Sequence, residues 1–132
     1  MIQGISHVTI IVKDLEKSSR LFCDGLGAKE IYDSNEKHFS ISREKFFDLS
    51  GIWLVAMEGE PQEKSYRHIA FKIEKEELHE FEERISKLGA TIVSSRYRVK
   101  GEGNSIYFYD YDNNFFELHS GTLEERLKKY KL

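Results

Sequence analysis

One cysteine, one proline and one tryptophan are all that 132 residues hold of those types. A lone Cys23 closes no internal disulfide, and within a helical pattern it reads as a small core filler. With Pro61 as the single proline, long stretches are free to run on as strand or helix. No apolar run approaches the roughly 20 residues that cross a bilayer, and no basic start leads into an apolar segment. The expectation is a cytoplasmic chain with neither signal peptide nor membrane span. A basic excess is also missing: 20 Lys and Arg stand against 23 Asp and Glu, for a net charge of −3. That argues against a nucleic-acid partner and leaves room for a local basic pocket that takes a small anion. What is abundant is large apolar surface, nine Phe and seven Tyr, enough for the core of one domain.

The chain repeats itself. Ser6-His7-Val8-Thr9-Ile10-Ile11-Val12 is echoed by Arg67-His68-Ile69-Ala70-Phe71-Lys72-Ile73, with the two histidines 61 residues apart. Leu26-Gly27-Ala28 is echoed by Leu88-Gly89-Ala90 at an offset of 62. Two matches nearly in register, each pair bracketing a helical segment, indicate duplication. Each half reads as β-α-β-β-β. In the first, strands are expected over residues 4–12, 29–32, 37–42 and 53–57. Asp14 caps a helix carrying Leu15, Phe22 and Leu26, which Gly25 or Gly27 ends. In the second, strands are expected over 68–73, 91–95, 105–109 and 115–119. Leu78, Phe81, Ile85 and Leu88 form the apolar stripe of the intervening helix. Thr122 and Glu125 make a capping box for a closing helix over 123–130, and Asp112-Asn113-Asn114 reads as a hairpin turn. The fold class is α+β, one domain over 1–132 with module one at about 1–58, a hinge at 59–65 and module two at about 66–132.

Alternation along strands gives His7 and Thr9 a shared face, and Tyr66 and His68 a shared face of their own strand; if the modules pack about a pseudo-twofold, the two histidines can face each other. A lone strand histidine is usually a satisfied surface residue; two at repeat-equivalent positions turn the reading toward ligation. A third donor comes from Phe115-Phe116-Glu117-Leu118-His119, where Glu117 shares a face with Phe115 and His119. An acid buried there without a partner costs several kcal/mol, which a cation offsets. Two His and one carboxylate leave coordination positions open, as a catalytic divalent metal requires. Mn²⁺, Fe²⁺, Zn²⁺ and Ni²⁺ all stay open on this reasoning. His119 falls two residues from Glu117, and a supporting or surface place is expected for it. Trp53 reads as core; His38 and His79 read as exposed.

These features resemble the vicinal oxygen chelate superfamily, which includes glyoxalase I, extradiol dioxygenases and bleomycin-resistance proteins. The resemblance sharpens at Gly4-Ile5-Ser6-His7-Val8-Thr9, at Tyr66-Arg67-His68-Ile69-Ala70-Phe71, at Gly101-Glu102-Gly103-Asn104-Ser105-Ile106-Tyr107-Phe108, and at Phe116-Glu117-Leu118-His119-Ser120-Gly121-Thr122-Leu123. There it is similar to the fosfomycin-resistance proteins, end to end. At Ser40-Ile41-Ser42-Arg43-Glu44-Lys45-Phe46-Phe47 it is similar to their FosX, or epoxide-hydrolase, type. The resemblance implies paired modules forming a cupped mixed sheet. It implies Mn²⁺ held by His7, His68 and Glu117, and Glu44 as the base that activates water. It also implies substrate contacts at Thr9, Ser105, Tyr107 and Arg126, with Tyr66 and Arg98 as further candidates. It implies a homodimer in which module one of each chain meets module two of the other, so that sites are shared. No nucleic acid and no membrane enters.

Other readings stay open beside hydrolysis of fosfomycin. A thiol transferase of the same fold differs at the place of Glu44. A metal-free protein that sequesters the antibiotic needs no His7/His68/Glu117 set. A glyoxalase-like isomerase needs a fourth ligand in the apolar stretch 53–57, which has none.

Overall fold

The computed structural model describes residues 1–93 and 104–131, so Arg98 and Gly101-Glu102-Gly103 lie outside the described residues. The first module contains β1 (Val8–Val12), α1 (Leu15–Arg20), β2 (Lys29–Asp33), β3 (Glu44–Leu49) and β4 (Ile52–Glu58). The second contains β5 (Ile69–Lys72), α2 (Leu78–Lys87), β6 (Thr91–Val93), β7 (Ser105–Tyr109) and β8 (Phe115–His119), followed by α3 (Leu123–Tyr130). Each module makes a mixed four-stranded sheet, ordered β1-β4-β3-β2 and β5-β8-β7-β6. In both, the first and last strands pair in parallel and the other pairs are antiparallel. The duplication read from the sequence is thus a duplication of topology. Among the described residues no helix is long and apolar enough to cross a membrane.

The helix signals act as read. The Asp14 side chain accepts from the Lys17 N–H, and the Thr122 hydroxyl accepts from the Glu125 N–H. The first helix does not run on unbroken: after Arg20 it widens into one π-helical turn, Leu21–Gly25, and closes at Gly27 in the left-handed region (φ 78°). Leu15, Leu21 and Phe22 are fully buried there. Gly89, at φ 85°, ends α2 likewise.

Residues 37–42 are not a strand, which corrects the expectation for module one. Asn35 turns the chain at φ 54°, its N–H held by the Asp33 carboxylate, and residues 35–43 leave the sheet as a loop with Phe39 and Ile41 exposed. The strand comes later, as β3, because a two-residue turn fixes its register. Ser50 and Gly51 both have positive φ (52° and 86°), as a type I′ hairpin demands, and Leu49 pairs with Ile52 beside them. Counting back from that turn brings Phe47 and Leu49 into the core and sends Glu44, Phe46 and Asp48 to the opposite face.

One continuous core joins the modules. Phe22 sets its ring edge-on to Phe47 of the first sheet (centroids 5.3 Å) and to Phe116 of the second (6.3 Å). Ile10, Val12, Leu54, Ile85, Phe71, Phe108 and Leu118 belong to it as well. Each sheet spends one face on this core. The other face of each sheet carries the residues with chemistry.

Candidate metal centre and its two halves

On the first sheet an aromatic row crosses the outer face. Tyr32 meets Phe46 (4.8 Å), Phe46 meets Trp53 (5.2 Å) and Trp53 meets the His7 imidazole (4.3 Å). Trp53 is therefore not core, as expected from the sequence, but a 38% exposed floor beside His7. Thr9 follows His7 on the same face and is exposed. Glu44 lies on this face too, yet is only 6% exposed. Its backbone is clamped by Ser34 from both sides: Glu44 N–H donates to Ser34 Oγ (2.9 Å), and Ser34 N–H donates to Glu44 C=O (3.0 Å). Its flanking residues are tied on the far side, Arg43 to Asp33 (2.8 Å) and Lys45 to Glu30 (2.8 Å). The Asp33 carboxyl is drawn down to about 2 chiefly by its hydrogen bonds from Arg43. Among the described residues, Oε2 of Glu44 is buried and has no hydrogen-bond partner.

The second sheet gathers the other donors. His68 presents Nδ1 to the Tyr66 carbonyl (2.7 Å) and Nε2 to Glu117 Oε1 (3.1 Å). The carbonyl can only accept, so Nδ1 carries the proton and donates it. In the neutral ring Nε2 then turns a lone pair onto a carboxylate oxygen. Two acceptors at that distance call for a positive charge between or beside them, a proton or a metal ion. Glu117 is 5% exposed, and its Oε2 accepts from the Ser105 hydroxyl (2.6 Å) and lies 3.2 Å from His119 Nδ1. Tyr107 is buried with its ring against His68 (5.6 Å), and Tyr66 packs on His68 (5.0 Å) while largely exposed. Arg126 reaches back from α3 to His119. His68, Ala70, Glu117, His119, Thr122 and Arg126 line a cavity of about 320 Å³.

The donor chemistry of His68 and Glu117 fits a divalent cation, but one chain does not assemble the whole set. Among the described residues no three His, Cys, Asp or Glu side chains converge to hold a metal. His7 stays on the first sheet with Ser6 and Trp53. Of the residues singled out in the sequence, the structure gathers His68, Glu117, Ser105, Tyr107, Tyr66 and Arg126 on the outer face of the second sheet and beside it. His7 and Thr9, read as sharing a strand face, lie with Glu44 on the outer face of the first sheet, so within one chain the expected set of His7, His68 and Glu117 is not brought together among the described residues.

Register shows how the halves correspond. Thr9 pairs with Val55 where Ala70 pairs with Glu117, so Val55 holds the place of Glu117. Glu44 pairs with Met57 where Ser105 pairs with His119, so Glu44 holds the place of Ser105. With valine in the acid's place, the first module offers no fourth ligand, and the isomerase alternative lacks its donor. Sequence reasoning missed the Ser34 clamp and the partnership of His119 with Ser105. Neither leaves a periodic signal, although the Ser105-to-His119 pairing follows once the last hairpin is registered on Asp112-Asn113-Asn114.

Comparison with known proteins gives a coherent set. The family model of the Glyoxalase/Bleomycin resistance protein/Dioxygenase superfamily matches residues 4–118. The fosfomycin resistance protein FosX of Listeria innocua is 57% identical over 131 residues, covering 98% of each chain. The metallothiol transferase FosB of Staphylococcus saprophyticus is 38% identical over 136 residues, covering 99% of this chain and 85% of its own. Among solved structures, a glutamate-to-glutamine variant of FosX from Listeria monocytogenes, complexed with Mn(II) and 1S,2S-dihydroxypropylphosphonic acid, superposes with a TM-score of 0.90. It is 52% identical, with 98% of this chain and 99% of that one covered.

Proposed function

Since the chain belongs to the Glyoxalase/Bleomycin resistance protein/Dioxygenase superfamily, we propose that it is a manganese-dependent hydrolase that adds water to the epoxide of fosfomycin. The observation that carries this is the ligand of the Listeria monocytogenes FosX structure, a phosphonate with adjacent hydroxyls beside Mn(II). A vicinal diol is what water leaves when it opens an epoxide; a thiol would leave a thioether.

His7, His68 and Glu117 hold the manganese, with the Tyr66 carbonyl fixing the tautomer of His68 so that Nε2 faces the ion. What the manganese supplies when bound is Lewis-acid stabilisation of the charge that develops on the epoxide oxygen. Glu44 takes the proton from water as its oxygen bonds to the epoxide carbon and the carbon–oxygen bond of the ring breaks. Its buried, unpartnered Oε2 supports that role, because a carboxylate oxygen committed to no neighbour is available to a water molecule. Phe46, next but one on the same strand face, adds an apolar ring to the surroundings of Glu44. Attack opposite the breaking bond requires the base and the metal on opposite sides of the substrate; Glu44 and His7 come from the first sheet, and His68 and Glu117 from the second. Thr9, Tyr107 and Arg126 bind the phosphonate through hydroxyls and a guanidinium, with Tyr66 and Arg98 in the same group, while Ser105 gives its proton to Glu117 Oε2 and borders that site.

We further propose that the working unit is a homodimer with shared sites, His7 and Glu44 from one chain facing His68 and Glu117 of the other. What supports it is the separation of His7 from the second-sheet donors among the described residues, and the exposure of His7, Thr9 and Trp53 on the outer face of the first sheet.

The test is incubation with fosfomycin and Mn(II), with and without glutathione or bacillithiol, followed by mass spectrometry. The expected product is the fosfomycin mass plus one water, unaffected by thiol. A thiol adduct formed in preference to the diol moves the chain to the transferase reading. Stoichiometric binding without turnover makes it a sequestering protein.

A further inference from the structure

We propose that His119 is a positioning residue that ties the metal-holding carboxylate Glu117 to the anion-binding Arg126 through one directed hydrogen-bond relay. The inference rests on the manganese-hydrolase reading and adds a residue to it. His119 ends β8 on the same face as Glu117, and its side chain is 14% exposed. Its Nε2 lies 3.3 Å from Arg126 Nη2. A guanidinium has donors only, so Nε2 accepts, and the proton of the neutral imidazole sits on Nδ1. Nδ1 lies 2.6 Å from Ser105 Oγ and 3.2 Å from Glu117 Oε2. Ser105 accepts from that N–H and gives its own proton to Glu117 Oε2 at 2.6 Å. The order guanidinium, imidazole, hydroxyl, carboxylate is thereby fixed from one end.

Two consequences follow. Oε2 of Glu117 is held by the Ser105 hydroxyl, while Oε1 faces His68 Nε2, the other metal-holding atom of this sheet. And Arg126, projecting from the surface helix α3, is drawn to the cavity it lines. Loss of His119 therefore loosens a metal ligand and an anion contact together, although it touches neither metal nor reacting carbon.

The test uses three proteins: the parent, His119→Ala and His119→Asn. Mn(II) affinity is measured by electron paramagnetic resonance without substrate, and KM and kcat for fosfomycin at saturating Mn(II). Folding is checked by circular dichroism and thermal unfolding. His119→Ala is expected to weaken Mn(II) binding by about 10–100-fold and to raise KM by roughly tenfold, more than it lowers kcat. His119→Asn places an amide nitrogen near the position of Nδ1 and does not reach Arg126. It is expected to restore Mn(II) affinity to within about threefold of the parent while KM stays raised. A folded His119→Ala protein that matches the parent in both Mn(II) affinity and KM overturns the proposal, as does an Asn variant that rescues neither or both. A parent that takes up no Mn(II) overturns the functional reading and this one with it; the two failures are thus told apart.

Discussion

Glu44 keeps a carboxylate oxygen buried and unpartnered among the described residues, an arrangement that costs on the order of 1–3 kcal/mol for a polar group and more for a charged one. The surrounding structure holds it there by the two Ser34 bonds and by the ion pairs of its neighbours Arg43 and Lys45. A residue kept at such cost on the sheet face that carries His7 and Thr9 is expected to act. Glu44→Gln preserves shape and removes the base, so the hydration rate should fall by about 10²–10⁴, with Mn(II) affinity unchanged. Thermal stability should stay level or rise slightly, because a buried charge is gone. Steady-state kinetics beside a melting curve checks both; a parent-like rate assigns water activation to another group. Ser34→Ala tests the support. It strips the acceptor from the buried Glu44 N–H at a cost of about 1–3 kcal/mol, and kcat should fall more than substrate affinity, a split that simple destabilisation does not produce.

The β2–β3 pair shows how electrostatics holds an element. Asp33 on β2 is bound by Arg43 just before β3, and its pKa near 2 lies below the unfolded carboxyl value of about 3.9. A depressed carboxyl contributes stability that is whole above the unfolded value and drains away as pH falls toward the folded one. The contribution should vanish between about pH 4 and pH 2, on the order of 1–2 kcal/mol once solvent screening of a half-buried pair is allowed for. Urea unfolding of the parent and Asp33→Asn across that range measures it. The variant's profile should be flatter, and parallel profiles would show the pair contributes nothing. At this scale the sequence was legible wherever a signal is local. The capping pairs at Asp14 and Thr122, the stripe of α2, and strands β7 and β8 were all read with their bounds or nearly so. Residues 37–42 misled because Phe39 and Ile41 alternate with polar neighbours as a strand would, while the Ser50-Gly51 turn that sets the true register lies outside that stretch. Trp53 misled for a related reason: alternation tells that its face differs from that of Leu54, and not which of the two is core. Of the site, His68 and Glu117 were legible from repeat and pattern, whereas the roles of Glu44 and Arg126 came through resemblance alone.

Across the whole molecule, the donors split between sheets and the core consumes only one face of each. A site completed between chains predicts complementation. His7→Ala and Glu117→Ala proteins, each inactive, form upon subunit exchange mixed dimers with one intact site in two. About a quarter of parent activity should return in an equimolar, randomly exchanged mixture; none, with exchange shown by mass spectrometry, would place each site within a single chain. Dilution below the dimer dissociation constant should also lower specific activity, which sedimentation and assay over the same concentrations can compare. The shared register slot of Glu44 and Ser105 bears on descent. A single ancestral module assembling in symmetric pairs would present the same side chain in that slot on both walls of its cleft. An acid on one wall and an alcohol on the other, like a valine opposite Glu117, became available only when two copies were joined in one chain and each could drift apart from its twin.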